Sequence, residues 1–196
     1  MSTREKAESE ARGRILKTAQ DLFYRNGYRA TGINEIIAKS GVAKATFYAH
    51  FPSKETLALA YVKAMNEVET RNMEEGLKAY PGPYEKLMGI LKFTIPWSKE
   101  RNYRGCAYLN ISSEILDHAN PVRAESKGHY KAVRRLIGRL MTDLKAQKGA
   151  AWKGRDAEKA ADDFMLIFCG ALAMAQVYHD PQPFHEAMDA ARRLLG

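Results

Sequence analysis

Residues 31–54 read TGINEIIAKSGVAKATFYAHFPSK, and this stretch decides the fold. Thr31 or Gly32 suits a helix start, and Glu35 falls in the first turn, where a negative charge complements the helix dipole. Gly41 ends that helix, because without a Cβ it takes the left-handed backbone that a tight reversal needs. Val42 supplies an apolar plug, and residues 44–50 form a second short helix stopped by Phe51-Pro52. Two short helices about a glycine turn spell a helix-turn-helix. Ile36, Val42 and Phe47 are expected to converge and lock the second helix on the first. Lys44, Ala45, Thr46 and Tyr48 then face outward, where the start of a recognition helix meets base edges in the major groove. Small residues allow close approach. Thr46 can bond a base or touch a thymine methyl, and Lys44 can reach a guanine or a phosphate. Tyr48, His50 and Lys54 suit phosphate contacts, which position a protein without reading sequence. Lys54 also opens the next helix, whose free N–H groups favour an anion. The same spacing also fits a plain helical hairpin with a solvated lysine face.

Outward from this stretch the chain reads as all-α, with no long alternation and no Asn-Gly or Asp-Gly hairpin signal. Upstream, Ile15, Leu16, Ala19, Leu22 and Phe23 recur at helical spacing, and Gly27 follows as a helix stop. Downstream, helices are expected over 54–78, 84–94 with a stop or kink near Pro96, 106–116, from Pro121 to beyond Leu144, 156–178 and 184–195. Residues 98–105 read as a charged turn and 147–155 as a loop. The division falls at 53/54: a three-helix domain over 1–53 and a second helical domain over 54–196, mechanically joined rather than tethered by a linker.

Several of these residues sit at fixed offsets that resemble a known family. Gly27-Tyr28, Ala30-Thr31, residues 33–36 (INEI), residues 41–48 (GVAKATFY) and residues 50–55 (HFPSKE) look like the N-terminal signature of TetR-family transcriptional regulators. The resemblance covers about residues 12–57. It implies a homodimer that binds a palindromic operator in double-stranded DNA, a six-helix C-terminal domain holding a small molecule, and repression relieved by that molecule. It also implies DNA contacts at Thr31, Lys44, Ala45, Thr46, Tyr48, His50 and Lys54. Two positions depart from the family's pattern. Ala43 stands where Ser or Thr often caps the recognition helix, a loss of about 1 kcal/mol if nothing substitutes. Ile37 stands where a smaller Ala is common.

In the second domain, Arg104-Gly105-Cys106, Asn110 and Glu114 are similar to an "RGC…N…E" stretch seen in one branch of the family. A thiol at a helix start beside Arg101 and Arg104 would have its thiolate favoured, so Cys106 either senses an electrophile or oxidant or simply packs. Phe93, Trp97, Tyr103, Cys106, Asn110, Tyr130 and Phe168 are the candidates to bind an effector, since aromatics with a few polar groups suit an amphipathic ligand. Each of them is equally a candidate for plain core. Cys169 reads as packing, and His118 and His129 have no second ligand at metal spacing. No cofactor is expected. Residues 156–178 and 183–195 are more apolar than a monomer needs, and in the family these helices pair with their symmetry mates.

Composition sets the outer bounds. The chain has 196 residues, 45% of them apolar and 28% charged, which excludes disordered and collagen-like classes. The longest apolar run, residues 164–175, is shorter than the about 20 residues of a membrane span, and the charged N-terminus reads as no secretory signal. Two distant cysteines point to a reducing cytoplasm. The net charge of +8 is uneven: residues 1–54 hold ten Lys or Arg against five Asp or Glu. A basic quarter on a near-neutral body suits a polyanion reader. No acid–base pair, nucleophile–base spacing, phosphate loop or metal set speaks for an enzyme. A ligand-responsive regulator is therefore expected, most simply a repressor. An activator on the same fold, an electrophile sensor and a non-specific DNA binder stay open.

Overall fold

The computed structural model describes residues 3–196, with side chains from residue 7 onward. The described residues form nine α-helices, one 3₁₀ turn and no strand. The helices are α1 (Thr3–Asn26), α2 (Ile33–Ser40), α3 (Lys44–His50), α4 (Lys54–Leu77), α5 (Pro83–Glu100), α6 (Ala107–Glu114), α7 (Pro121–Lys148), α8 (Ala157–Tyr178) and α9 (Gln182–Leu195). They fall into two compact units: residues up to Glu67 with Ala107–Lys127, and Val68–Cys106 with Gly128–Gly196.

In the first unit, Ile15, Ala19, Leu22 and Phe23 of α1 are buried with Ile36 of α2, Phe47 of α3 and Leu57, Tyr61 and Val62 of α4. Truncating one fully buried Ile or Leu of this set to Ala would cost about 2–5 kcal/mol. Residues 54–67 and 107–127 belong to this unit, where the sequence reading gives them to the C-terminal domain. Polar bonds hold these two stretches to each other and close the turn between α6 and α7. Asn120 Nδ2 donates to the Glu55 carboxylate at 2.6 Å, and its Oδ1 caps α7 by accepting from Val122 N at 2.9 Å. Arg123 donates to the Ser112 and Ile115 carbonyls at 2.6 and 2.7 Å, so α7 closes the end of α6.

The second unit has its own core. Leu87 and Leu91 of α5, Ile137, Met141 and Leu144 of α7, Phe164 and Ala175 of α8, and Phe184, Ala191 and Leu195 of α9 are all buried there. Trp152, in the 3₁₀ turn Gly149–Trp152, is buried as well, and its indole N–H donates to the Leu195 carbonyl at 2.9 Å. Asp156 caps α8 by accepting from Glu158 N and Lys159 N.

Two expectations are corrected here. The fifth helix does not stop near Pro96 but runs to Glu100, so the charged turn is shorter than 98–105. Pro96 removes the bond to the Lys92 carbonyl, and both residues lie on the exposed side of α5, where an unmade bond is least expensive. The second concerns α8, whose 22 residues, with mean hydropathy 1.5 over the most apolar 18-residue window, match a membrane span in length and composition. Counting unbroken apolar runs missed this. Within the unit, α8 works as a core helix, burying Ala161, Phe164, Phe168, Leu172 and Ala175.

Candidate nucleic-acid interface

The reading head is built on α2 and α3. Gly41 takes φ 64°, ψ 32°, the left-handed conformation that reverses the chain between them. Ile36 and Phe47 are fully buried and Val42 half-buried, so the three apolar positions face inward as the spacing requires. Phe47 packs edge-on against Tyr48 at 5.3 Å and in a tilted arrangement against Phe51 at 6.3 Å between ring centroids. Arg12 of α1 lies over the Phe51 ring at 5.3 Å. With Phe47 fixed, Lys44, Ala45, Tyr48 and Ala49 form the exposed face of α3, and Tyr48 is 41% exposed. Thr46 and His50 flank that face and are half-buried. Ala43 is the N-cap of α3 and makes no side-chain cap bond, as its residue type dictates.

Thr31 is placed differently from expectation. It is 0% exposed, and its hydroxyl donates to the Gly27 carbonyl at 2.8 Å and to the Leu22 carbonyl at 3.3 Å. The side chain closes the end of α1 and is not presented to a ligand. Lys54 is half-buried, its ammonium donating to the Arg29 carbonyl at 3.2 Å and lying 4.6 Å from the centre of the Tyr28 ring. Burial lowers its pKa, while the Glu114 carboxylate acts in the opposite sense. Burial, followed by Glu55 and Glu114, raises the pKa of Tyr28.

Sequence reasoning missed Glu114 as part of this neighbourhood. Its carboxylate accepts the Tyr28 N–H at 3.1 Å and the Arg29 N–H at 2.6 Å, across 86 and 85 residues. The available signal was the Glu at the end of the Arg104…Asn110…Glu114 stretch, which periodicity alone gives no partner.

The expected effector residues differ in burial and neighbours. Phe93 is 47% exposed on α5, and Phe168 is buried in the core. Trp97 is half-buried with Arg101 stacked at 4.6 Å, and Tyr103 packs edge-on against His179 at 5.2 Å. Cys106 and Tyr130 do meet, sulfur to hydroxyl, at 3.1 Å. Burial first, and Cys106 next, push the Tyr130 hydroxyl far above the ordinary tyrosine range. Burial pushes the Cys169 thiol up to about 11. Asn110 falls in the first unit. A cleft of about 200 Å³ opens between α4 and α7, lined in part by Glu69, Met73, His129, Val133, Leu136 and Arg139, and none of the seven expected residues lines it. No group of three or more metal-ligating side chains occurs among the described residues.

A buried-in, exposed-out recognition helix on a glycine turn defines a helix-turn-helix DNA-binding regulator. Comparison with known proteins makes the class specific. Residues 15–61 match the family described as "Bacterial regulatory proteins, tetR family", and residues 83–191 match "Tetracyclin repressor-like, C-terminal domain". The chain belongs to the TetR family of transcriptional regulators, which are not enzymes. Among curated relatives it is 32% identical over 124 residues to the HTH-type transcriptional regulator LmrA of Bacillus subtilis, covering 62% of this chain and 66% of that protein. It is 20% identical over 190 residues to the HTH-type transcriptional repressor NemR of Escherichia coli, covering 96% and 95%. Among solved structures, SCO4454, a TetR-family transcriptional regulator from Streptomyces coelicolor, superposes with a TM-score of 0.85 at 26% identity, covering 100% of this chain and 95% of that one.

Proposed function

We propose that the chain is a cytoplasmic, dimeric repressor that binds a palindromic operator and is released by a small molecule held in its C-terminal half. The observation that carries this reading is the face of α3. Lys44, Ala45 and Tyr48 are exposed on a helix whose inward side is fixed by the fully buried Phe47. Lys44, Ala45 and Thr46 read bases, while Tyr48, His50 and Lys54 contact phosphates. Thr31 supports the turn behind them. The sign of regulation follows NemR, a transcriptional repressor that the chain matches over nearly its whole length. The C-terminal division is 54–196 in function, although residues 54–67 and 107–127 pack with the reading head.

The test uses a duplex selected by the wild-type protein from random DNA. Lys44→Ala and Tyr48→Ala should each weaken binding while leaving the helical circular dichroism unchanged. Six to ten neutralised phosphates would lower affinity by about 10³–10⁵ between 50 and 200 mM salt. A flat salt response, or unchanged affinity in both variants, contradicts the docking. Equal affinity for random and selected duplexes would make the chain a non-specific binder instead.

A second reading of the release step rests on the Cys106–Tyr130 contact. A tyrosine whose pKa is raised keeps its proton and can donate to the sulfur, stabilising a thiolate at the start of α6. Electrophile addition at Cys106 would then displace the contact. If Cys106→Ser is released from the duplex by N-ethylmaleimide as fully as the wild type, this reading fails.

A further inference from the structure

The turn Gly27–Thr31 joins α1 to the reading head, and its polar groups are held from both sides. After Gly27 the chain leaves α1 with φ 96°, so the N–H groups of Tyr28 and Arg29 have no acceptor within the helix. The Glu114 carboxylate takes both, one oxygen each, at 3.1 and 2.6 Å. Arg29 presents its carbonyl to the Lys54 ammonium at 3.2 Å. One peptide segment is therefore gripped by an anion from α6 through its N–H groups and by a cation from α4 through its carbonyl. The fit at Gly27 is close. A Cβ there would stand 2.8 Å from Glu114 Oε1, so the glycine both permits the turn and lets the carboxylate approach. The Thr31 hydroxyl completes the clamp on the Gly27 carbonyl at 2.8 Å, and α2 begins at Ile33.

We propose that Glu114 is a positioning residue for DNA binding, its carboxylate fixing the Tyr28–Arg29 turn so that α2 and α3 are preorganised for the major groove. Charge-assisted bonds to a carboxylate are shorter and about twice as strong as neutral ones. A paired carboxylate can also accept two N–H groups at once, whereas an amide offers one oxygen and one donor. Without it the turn gains freedom, and DNA must then supply the ordering that the free protein has lost. Glu114 thereby affects affinity without touching DNA. The inference rests on α3 being the reading helix.

The experiment compares full-length wild type with Glu114→Gln and Glu114→Ala. It measures affinity for a duplex selected by the wild type, together with the backbone amide resonances and exchange rates of Tyr28 and Arg29. Glu114→Gln keeps the shape of the side chain and guards against a folding failure in Glu114→Ala. The expected result is at least a threefold loss of affinity for the Gln variant and a larger one for Ala. Upfield shifts and faster exchange should be confined to the Tyr28 and Arg29 amides and their neighbours, a signature that general loosening of the fold would not give. A loss below threefold in Glu114→Gln overturns the proposal, as do Tyr28 and Arg29 amides that keep their wild-type positions. If the wild type selects no duplex, the docking reading itself fails, and the amide resonances still decide whether Glu114 holds the turn.

Discussion

At the scale of single residues, burial decides which polar side chains are available. The family resemblance implies DNA contacts at both Thr31 and Lys44. Only Lys44 is exposed, because the Thr31 hydroxyl completes the end of α1. A hydroxyl that bonds back to a carbonyl four residues earlier leaves no trace in a hydropathy pattern. His129 gives a quantitative case. It is buried, and burial lowers its pKa from 6.5 to about 4, so it is neutral in the folded protein at pH 7. Below pH 6.5 the unfolded chain takes up a proton that the folded chain refuses until about pH 4. Stability is therefore full above pH 6.5 and falls as the pH drops through that window. At about 1.36 kcal/mol per unit, the loss between pH 7 and 4.5 is about 2–3 kcal/mol. His129→Gln should show that much less acid destabilisation in urea titrations at the two pH values. An identical pH dependence in both proteins would show that His129 does not titrate this way.

At the scale of elements, start and stop chemistry was the most legible part of the sequence. The boundaries of α3 at Lys44 and His50 follow from Gly41, Phe51 and Pro52 and are met to the residue. The C-terminal limit of α5 was not legible, because the cost of an interior proline is lower where the carbonyl it frees can meet solvent, and burial is a tertiary property. The weak point of the reading head was visible in both sequence and structure: Ala43 caps α3 with no side-chain bond. Ala43→Ser places an acceptor at an extended N-cap, φ −67°, ψ 148°, whose geometry already suits one. The expected gain is about 1 kcal/mol, read as a higher urea midpoint with an unchanged slope. No change in midpoint would mean that the N–H groups of the first turn are already satisfied. The exposed face of α3 is not altered by this substitution, so affinity for the selected duplex should be retained.

At the scale of the whole molecule, charge and apolar surface divide the labour. Residues 1–54 carry ten of the basic residues against five acidic ones and contain the helix-turn-helix. Glu114 ties residues 107–127 to that segment through Tyr28 and Arg29, and Glu55 holds Asn120, both across separations that no local pattern encodes. On α8, Leu166 and Val177 are each 72% exposed and Met174 is 39% exposed, with Gly170 exposed between them. Positions 166, 170, 174 and 177 lie along one helical face, opposite the buried Phe164, Phe168, Leu172 and Ala175. An apolar stripe of this length on the outside of a core helix is what a two-fold interface requires, with the glycine allowing backbones to approach. A palindromic operator read by such a dimer would require two α3 helices about one DNA turn, 34–36 Å, apart. Leu166→Glu combined with Val177→Glu places acidic charges in that stripe, which in the proposed dimer would repel their counterparts. Light scattering should then report the 22.1 kDa chain in place of a species of twice that mass. Because both half-sites must be engaged at once, affinity for the selected duplex should fall by about 10²–10⁴. Since neither residue is in the α8 core, thermal unfolding should remain cooperative. A double variant that keeps the dimer mass would place the interface elsewhere, and one that becomes monomeric with unchanged affinity would show that each chain reads DNA alone.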